Sequence, residues 1–355
     1  MKVGIVGLPN AGKSSLFNAL TRAGAEAGNY PFTTVEPNVA IVPVPDDRLD
    51  RIAETIDARP LVYETIAFHD IAGLVRGAHS GEGLGNKFLA NIRETDAILH
   101  VVRAHEDAQV VHPEGRVDPA ADAETIETEL LYADLEQAER RLERVSKQAK
   151  SLDRAAMAEE GWLRELVAGL QEGRPAREFP PPPDAPDALR NLQPLTAKPV
   201  LYVANVGEDV ALEPPPELAA RGKALAVSAR IESELAELDD EEAAVMRADL
   251  GVTESGLDRI IKGAFELLEL ISFFTAGEGK EARAHAIPAG TTAWQAAGKI
   301  HSDIQRGFVR AEVVPWDVLV DAGGYAGARD RGALRLEGRD YPMADGDVIT
   351  IKFTP

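Results

Sequence analysis

A chain of 355 residues with 45% apolar residues is long enough for two or three folded units at roughly 150 residues each, and its composition excludes a fibrous or disordered protein. A formal charge of −21 opposes diffuse attraction to nucleic-acid phosphates, so DNA is not an expected partner and any RNA contact has to be local. The absence of cysteine excludes disulfides and thiolate metal sites, no apolar run approaches the roughly 20 residues that cross a bilayer, and the chain enters an apolar strand at once without an export leader. A cytoplasmic protein with no membrane contact is expected.

Lys2 to Val6 reads as a short strand, followed by Gly7-Leu8-Pro9-Asn10-Ala11-Gly12-Lys13-Ser14 and a helix pattern carrying Leu16, Phe17, Ala19 and Leu20. This is the spacing of a phosphate loop in its required setting, strand before and helix after. Glycines let backbone N–H groups converge on phosphate oxygens and the helix start adds partial positive charge. Lys13 reaches the β- and γ-phosphates, and Ser14 offers a hydroxyl to Mg²⁺. The expected nucleotide contacts here are Asn10, Ala11, Gly12, Lys13, Ser14 and Ser15, with Lys13 also a catalytic group.

Two later segments read as sensors of the γ-phosphate. Tyr30 to Asn38 is a Gly/Pro/Thr-rich loop whose threonines, Thr33 and Thr34, are placed to complete a Mg²⁺ shell. The strand expected over Leu61 to His69 ends in Asp70-Ile71-Ala72-Gly73. Asp70 would hold Mg²⁺ through water, and the Gly73 amide would meet the γ-phosphate because only glycine lets the backbone come that close.

With Gly81-Glu82-Gly83-Leu84-Gly85-Asn86-Lys87-Phe88-Leu89, Asn205 to Glu208 and a C-terminal stretch, these segments make the sequence similar to the YchF family, the Obg-like ATPases, along nearly its whole length. The resemblance implies a Mg²⁺-dependent ATPase acting as a regulatory switch on the ribosome or ribosomal RNA. It also makes Thr34 rather than Thr33 the metal-facing residue. Leu74 stands where many switch GTPases carry a water-orienting glutamine, so catalysis must use another group. His112, in the loop Val111-His112-Pro113-Glu114-Gly115 after the strand Ile98 to Val102, is the candidate, since a neutral imidazole positions water at physiological pH. The alternative is an ordinary loop histidine. In related Obg-type proteins an asparagine at the place of Asn10 helps hold K⁺, which makes K⁺ a second expected ion.

Guanine-specific members end the next strand, here Val200 to Ala204, with N-K-x-D. This chain has Asn205-Val206-Gly207-Glu208. Val206 replaces the lysine over the base, and Glu208 is one methylene longer than the aspartate that accepts from guanine N1–H and N2–H₂, so the bidentate fit is lost. ATP is the expected substrate, with GTP also accepted. Ser228-Ala229-Arg230, after the strand Ala224 to Val227, reads as the loop whose amides contact the base. Asp209 could restore guanine affinity by a shift of register. A guanine-specific GTPase therefore stays open, as does a nucleotide-stabilised ribosome- or RNA-binding protein with incidental hydrolysis.

The stretch between Asp70 and Asn205 far exceeds two crossover units of roughly 30 residues each. Leu131, Leu135, Ala138, Leu142, Val145, Ala149, Leu152 and Ala156 form a heptad stripe, and Leu163, Leu166 and Leu170 continue it on a return helix that ends near Gly173-Arg174-Pro175. The turn is expected near Ser151 and Asp153. Pro180 to Pro183 stiffen the way back to the sheet. Arg140, Arg141, Arg144, Lys147, Lys150 and Arg154 lie on this hairpin, either as a solvated face paired with Glu136, Glu139 and Glu143 or as a contact for ribosomal RNA.

After an apolar helix from Leu257 to Phe274 and a flexible boundary at Thr275 to Gly279, a strand Ala282 to Pro288, a helix Thr291 to Ile304 and a strand Asp347 to Phe353 suggest a small sheet wrapped on one helix. This part resembles the TGS module. The expected fold is α/β: a P-loop NTPase domain with a mainly parallel sheet over 1–277, an antiparallel helical hairpin inserted at 122–195, and a C-terminal β-grasp, TGS-like domain over 278–355.

Overall fold

The computed structural model describes residues 1–26, 38–71, 84–107, 110–150, 153–208, 213–252 and 254–354. Its strands in chain order are β1 Lys2–Val6, β2 Val39–Pro43, β3 Leu61–Val62, β4 Thr65–Asp70, β5 Ala97–Arg103, β6 Val200–Asn205, β7 Ala224–Val227, β8 Leu270–Ala276, β9 Ala282–Pro288, β10 Phe308–Pro315, β11 Arg335–Glu337 and β12 Asp347–Phe353. The helices used below are α1 Lys13–Glu26, α2 Asp47–Ile56, α3 Leu84–Arg93, α4 Pro119–Ala149 and α5 Arg154–Gln171.

The first sheet has the order β2-β4-β1-β5-β6-β7, and β4, β1, β5, β6 and β7 run parallel. Parallel strands covered on both faces read as unbroken apolar runs, and β5, Ala-Ile-Leu-His-Val-Val-Arg, is buried at every position. Parallel strands also deliver their carboxyl ends, where α/β sheets bind ligands, to one edge. The register sets Ile5 beside Asp70, and Arg103 beside Asn205.

The chain divides into two compact units, the first built from residues 1–26, 38–41 and 67–260, the second from 42–66 and 261–354 among the described residues. This differs from the expected division at 277/278. The reason is α2: its apolar face, Leu49, Ile52, Ala53 and Ile56, is buried in one cluster with Phe274, Ala284, Val314 and Val348 of the second sheet. That sheet has the order β11-β10-β12-β8-β9-β3. The run expected as one strand from Leu61 to His69 therefore splits. Leu61–Val62 pairs with β9, whereas Thr65–Asp70 pairs with β1.

The apolar helix expected to reach Phe274 ends at Leu267, and β8 follows a turn in which Glu269 adopts φ +51°. Phe273 and Phe274 are both fully buried, in different clusters, because alternate side chains of a strand point to opposite faces and both faces of β8 are covered. The flexible boundary at Thr275 to Gly279 is instead the end of β8 and a tight turn, Lys280 N to Gly277 O at 2.9 Å, leading into β9. The helix expected over Thr291 to Ile304 breaks at His301 into Ala293–Ile300 and Ser302–Arg306. Ala293, Ala296 and Ala297 pack on Phe308, Ala311, Val313 and Ile349 of the sheet.

The helical insertion stands as α4 and α5. Asp118 caps α4 by accepting from Ala121 N at 3.0 Å, and Asp153 caps α5 by accepting from Ala155 N at 3.1 Å. Ala156, placed by its spacing on the first helix, belongs to the second, and Ser151 and Leu152 lie outside the described residues. Ala138, Val145, Ala149, Ala156, Leu163, Leu166 and Leu170 form a shared buried core. After the prolines the chain returns through Leu195–Ala197, a 3₁₀ turn hung on buried Asp134, which accepts from Leu195 N at 2.7 Å, Thr196 N at 2.8 Å and Thr196 Oγ1 at 2.6 Å.

Gly169 of α5 is where the return segment closes on the helix. A Cβ there would lie 2.0 Å from Cζ of Phe179, whose carbonyl accepts from Trp162 Nε1 at 3.0 Å. Gly169→Ala is expected to cost about 1–3 kcal/mol of stability, as overpacking does, measured by urea denaturation, with ATP affinity in the absence of urea unchanged.

Candidate functional site

The loop after β1 is tied together before any ligand is considered. Lys13, 8% exposed, donates from Nζ to Gly7 O at 3.0 Å and Leu8 O at 2.8 Å, which aims its ammonium into the loop that would receive phosphates. Burial pushes the Lys13 ammonium down to about 8, with Asp70 opposing the shift. Gly12 has φ +100°, and a Cβ on it would meet Asn205 Nδ2 at 2.3 Å, so only glycine fits between the loop and β6. Asn10 also takes a positive φ, +64°. Ser14 and Ser15 are exposed in the first turn of α1.

Asn205 joins the phosphate loop to the base loop. Its Nδ2 donates to Ala11 O at 3.1 Å, and its Oδ1 accepts from Ala229 N at 3.0 Å. Ser228 caps the helix Ala229–Leu235 through its side chain. Glu208 Oε1 accepts from Arg230 Nε at 2.8 Å, an exposed pair. Arg230, the tail of its motif, thus competes for the carboxylate expected to face the base, and it also pairs with Glu234. Val206 departs from expectation. It is 3% exposed, in the apolar cluster of Val102, Tyr202, Ala204 and Leu218, because a side chain without a charged head is more stable in that core than over a solvated base. It contributes to packing in that cluster.

Asp70 ends β4, half-buried. Burial raises its carboxyl, and the Lys13 charge draws it back down. Among the described residues no group of three or more His, Asp or Glu side chains forms a self-sufficient metal cage. One hydroxyl and one carboxylate beside a phosphate-binding loop is the sparse oxygen donor set that Mg²⁺ takes when phosphates and water complete its shell, and Ser14 with Asp70 fits it. Thr34, Gly73, Leu74 and Asp209 lie outside the described residues.

His112 is brought near the phosphate loop, because Asn10 Nδ2 donates to Val111 O at 3.0 Å. Its ring is buried and engaged at both nitrogens, Nε2 donating to Asp122 Oδ2 at 2.8 Å and Nδ1 accepting from Glu114 N at 3.2 Å. Arg103, 2% exposed at the end of β5, donates to the carbonyls of His105, Asp107 and Val110, and His105 Nδ1 donates to Asn205 O at 2.9 Å. Arg103 and Asp122 belong to no motif; the one signal in the sequence was a charged residue closing the apolar strand Ile98 to Val102.

Two family models match. The one described as "50S ribosome-binding GTPase" covers residues 2–140, and YchF-GTPase_C, described as "Protein of unknown function (DUF933)", covers 270–354. The chain is 48% identical to the ribosome-binding ATPase YchF of Bacillus subtilis and 49% identical to that of Pasteurella multocida, over 99% of both chains in each case. It is similar to the structure of the Schizosaccharomyces pombe YchF GTPase, with a TM-score of 0.87 and 34% identity over 99% of this chain and 97% of that one. A GTP-binding protein of Pyrococcus horikoshii, TM-score 0.63 at 20% identity, shares the fold.

The depressed Lys13 ammonium predicts a proton linkage. A lysine with folded pKa near 8 is about half charged at pH 8, and phosphates beside it restore the full charge, so binding takes up about half a proton there and almost none at pH 7. Calorimetry of Mg·ATP binding in buffers of differing ionisation enthalpy reads this directly, and affinity is expected to fall as pH rises above 8.

Proposed function

The chain belongs to the YchF family, and on that premise we propose that it is a Mg²⁺-dependent, ribosome-associated ATPase that prefers ATP, accepts GTP, and uses nucleotide state as a switch. The observation that carries the base preference is the pairing of Glu208 with Arg230 beside a core-buried Val206. Guanine recognition needs a carboxylate at donor-accepting distance and a side chain lying over the ring; here guanine would have to compete with Arg230 for Glu208, and Val206 lies in the core. Asn205 holds the two loops at the spacing that lets one nucleotide touch both.

Lys13 places positive charge on the β- and γ-phosphates as charge develops there. Ser14 and Asp70, with Thr34, would hold Mg²⁺, which when bound neutralises charge on the same oxygens. The Gly73 amide would meet the γ-phosphate, and His112 would position the attacking water in place of the side chain that Leu74 cannot supply. Asn10, whose Nδ2 is bonded to Val111 O, would offer its Oδ1 to K⁺. Among the described residues no helix is long and apolar enough to cross a membrane, and the protein works in the cytoplasm.

Ribosome contact is assigned to the end of the hairpin. Arg140 is paired with Glu136, Arg141 with Glu159 and Arg154 with Asp184. Arg144, Lys147 and Lys150 are exposed, a local basic patch on an acidic protein, suited to RNA phosphates. The second unit acts as the TGS-like module.

Equilibrium binding and turnover of ATP and GTP test the base assignment. Wild type is expected to prefer ATP, and Glu208→Asp to raise GTP affinity about tenfold, the order of one restored donor–acceptor pair; a wild type that prefers GTP would reverse the assignment. Running the same turnover in Na⁺ and in K⁺ tests Asn10, equal rates removing the ion. Reversing charge at Arg144, Lys147 and Lys150 is expected to weaken ribosome cosedimentation and its salt dependence while intrinsic turnover stays constant. Unchanged cosedimentation would leave those residues a solvated face.

A further inference from the structure

Residues 110–114 are folded inside out. Val110 and Val111 are 38% and 79% exposed, whereas His112 is 9% exposed and Asp122 only 2%. Glu114 N–H donates to His112 Nδ1, which leaves Nδ1 unprotonated, so Nε2–H is the donor to Asp122 Oδ2. A ring held in this way has no nitrogen to offer a water molecule. Oδ1 of Asp122 is buried with no hydrogen-bond partner among the described residues, an arrangement that costs free energy. Burial raises the Asp122 carboxyl against the pull of His112.

The backbone leading to the ring is gripped from two sides. Val110 O accepts from Arg103 Nη1 at 2.9 Å, and Val111 O accepts from Asn10 Nδ2 at 3.0 Å. Asn10 is part of the phosphate loop, and a phosphate there is a stronger acceptor than a backbone carbonyl for the Nδ2–H now donated to Val111. Turning His112 out would break its charge-assisted hydrogen bond and leave both oxygens of the buried Asp122 carboxylate unpaired among the described residues, so the buried state is the favoured one.

We propose that Asp122 is a positioning residue that latches His112 in a buried, idle state, and that occupation of the phosphate loop draws Asn10 off Val111 and lets His112 turn out to the reacting water. The inference rests on His112 as the water-positioning group. Asp122 and Arg103 then act through His112 and its loop without touching substrate.

Steady-state ATP hydrolysis by the full chain, as wild type, Asp122→Asn, His112→Ala and the double variant, tests it. Asparagine keeps the shape and weakens the acceptor. Asp122→Asn is expected to raise kcat about threefold or more with KM unchanged, and the double variant to fall to the His112→Ala rate. A kcat for Asp122→Asn at or below wild type overturns the latch. A wild-type rate in His112→Ala instead removes His112 from catalysis, and is read separately. Nitrogen-15 histidine spectra of the wild type follow the latch itself, even if Asp122→Asn fails to fold. The His112 Nε2–H tautomer, assigned by its loss in His112→Ala, is expected to exchange slowly without nucleotide and to lose that protection with Mg²⁺ and a non-hydrolysable ATP analogue. A signal unchanged by the analogue overturns the proposal whatever the rates.

Discussion

A single buried amide sets the distance between the loop after β1 and the loop after β7. Asn205 donates to Ala11 O and accepts from Ala229 N, so both ends of its side chain are satisfied and neither loop can drift without leaving a buried polar group unpaired, at about 1–3 kcal/mol each. The constraint propagates. Gly12 is required because Asn205 occupies the space its Cβ would need, and Gly12 in turn precedes Lys13. On the other side, the backbone carbonyl of Asn205 accepts from His105, and Arg103, paired in register with Asn205, holds the carbonyls that lead towards His112. Phosphate loop, base loop and histidine loop therefore share one origin at the carboxyl ends of β5 and β6.

The parts legible in the sequence are those whose chemistry is local. The phosphate loop is a run of adjacent residues between a strand and a helix, and its hydrogen bonds close within that run. The hairpin is legible because a heptad stripe repeats over many turns, although Ala156 fits the stripe of either helix and only the cap at Asp153 assigns it. Asn205 was legible by its place at a strand end, but its two partners lie far away in sequence and could only be supplied by the fold. The second unit was half legible. Asp347 to Phe353 alternates like a strand, whereas Leu270–Ala276 continues the apolar run of the helix before it, and a short apolar run carries no period to separate the two. α2 has a clear apolar face, yet nothing in it says that this face belongs with a sheet more than two hundred residues further on.

Val206 and Asp122 show a different limit. Motif comparison treats Val206 as a substituted ligand residue; the structure gives it a core position, since removing the charge of a lysine also removes the reason to stay in solvent. Asp122 is one of several acids in an acidic stretch, and its burial against His112 depends on how a loop and a helix start meet. Among the described residues Arg103 is satisfied by backbone carbonyls, and no complementary charge in the sequence announces it. Buried polar groups satisfied by backbone leave no pairing signal, and in this chain they organise the loop that carries the proposed water-positioning group.

The proposed base selectivity works by subtraction. Glu208 and Arg230 form an exposed pair, and exposed pairs contribute little to stability, so Arg230 is no rigid clamp on the carboxylate. What changes is the balance between bases: selectivity is a difference of affinities, and a guanine must now win Glu208 from a competing guanidinium, without a lysine stem over the ring. Adenine demands no acceptor for a ring N1–H and loses nothing by that competition. On the proposed reading, a site weakened for guanine and indifferent to adenine discriminates by a modest factor while its phosphate contacts stay common to both, because the loop of Gly12 and Lys13 would bind the part of the nucleotide that carries no base identity.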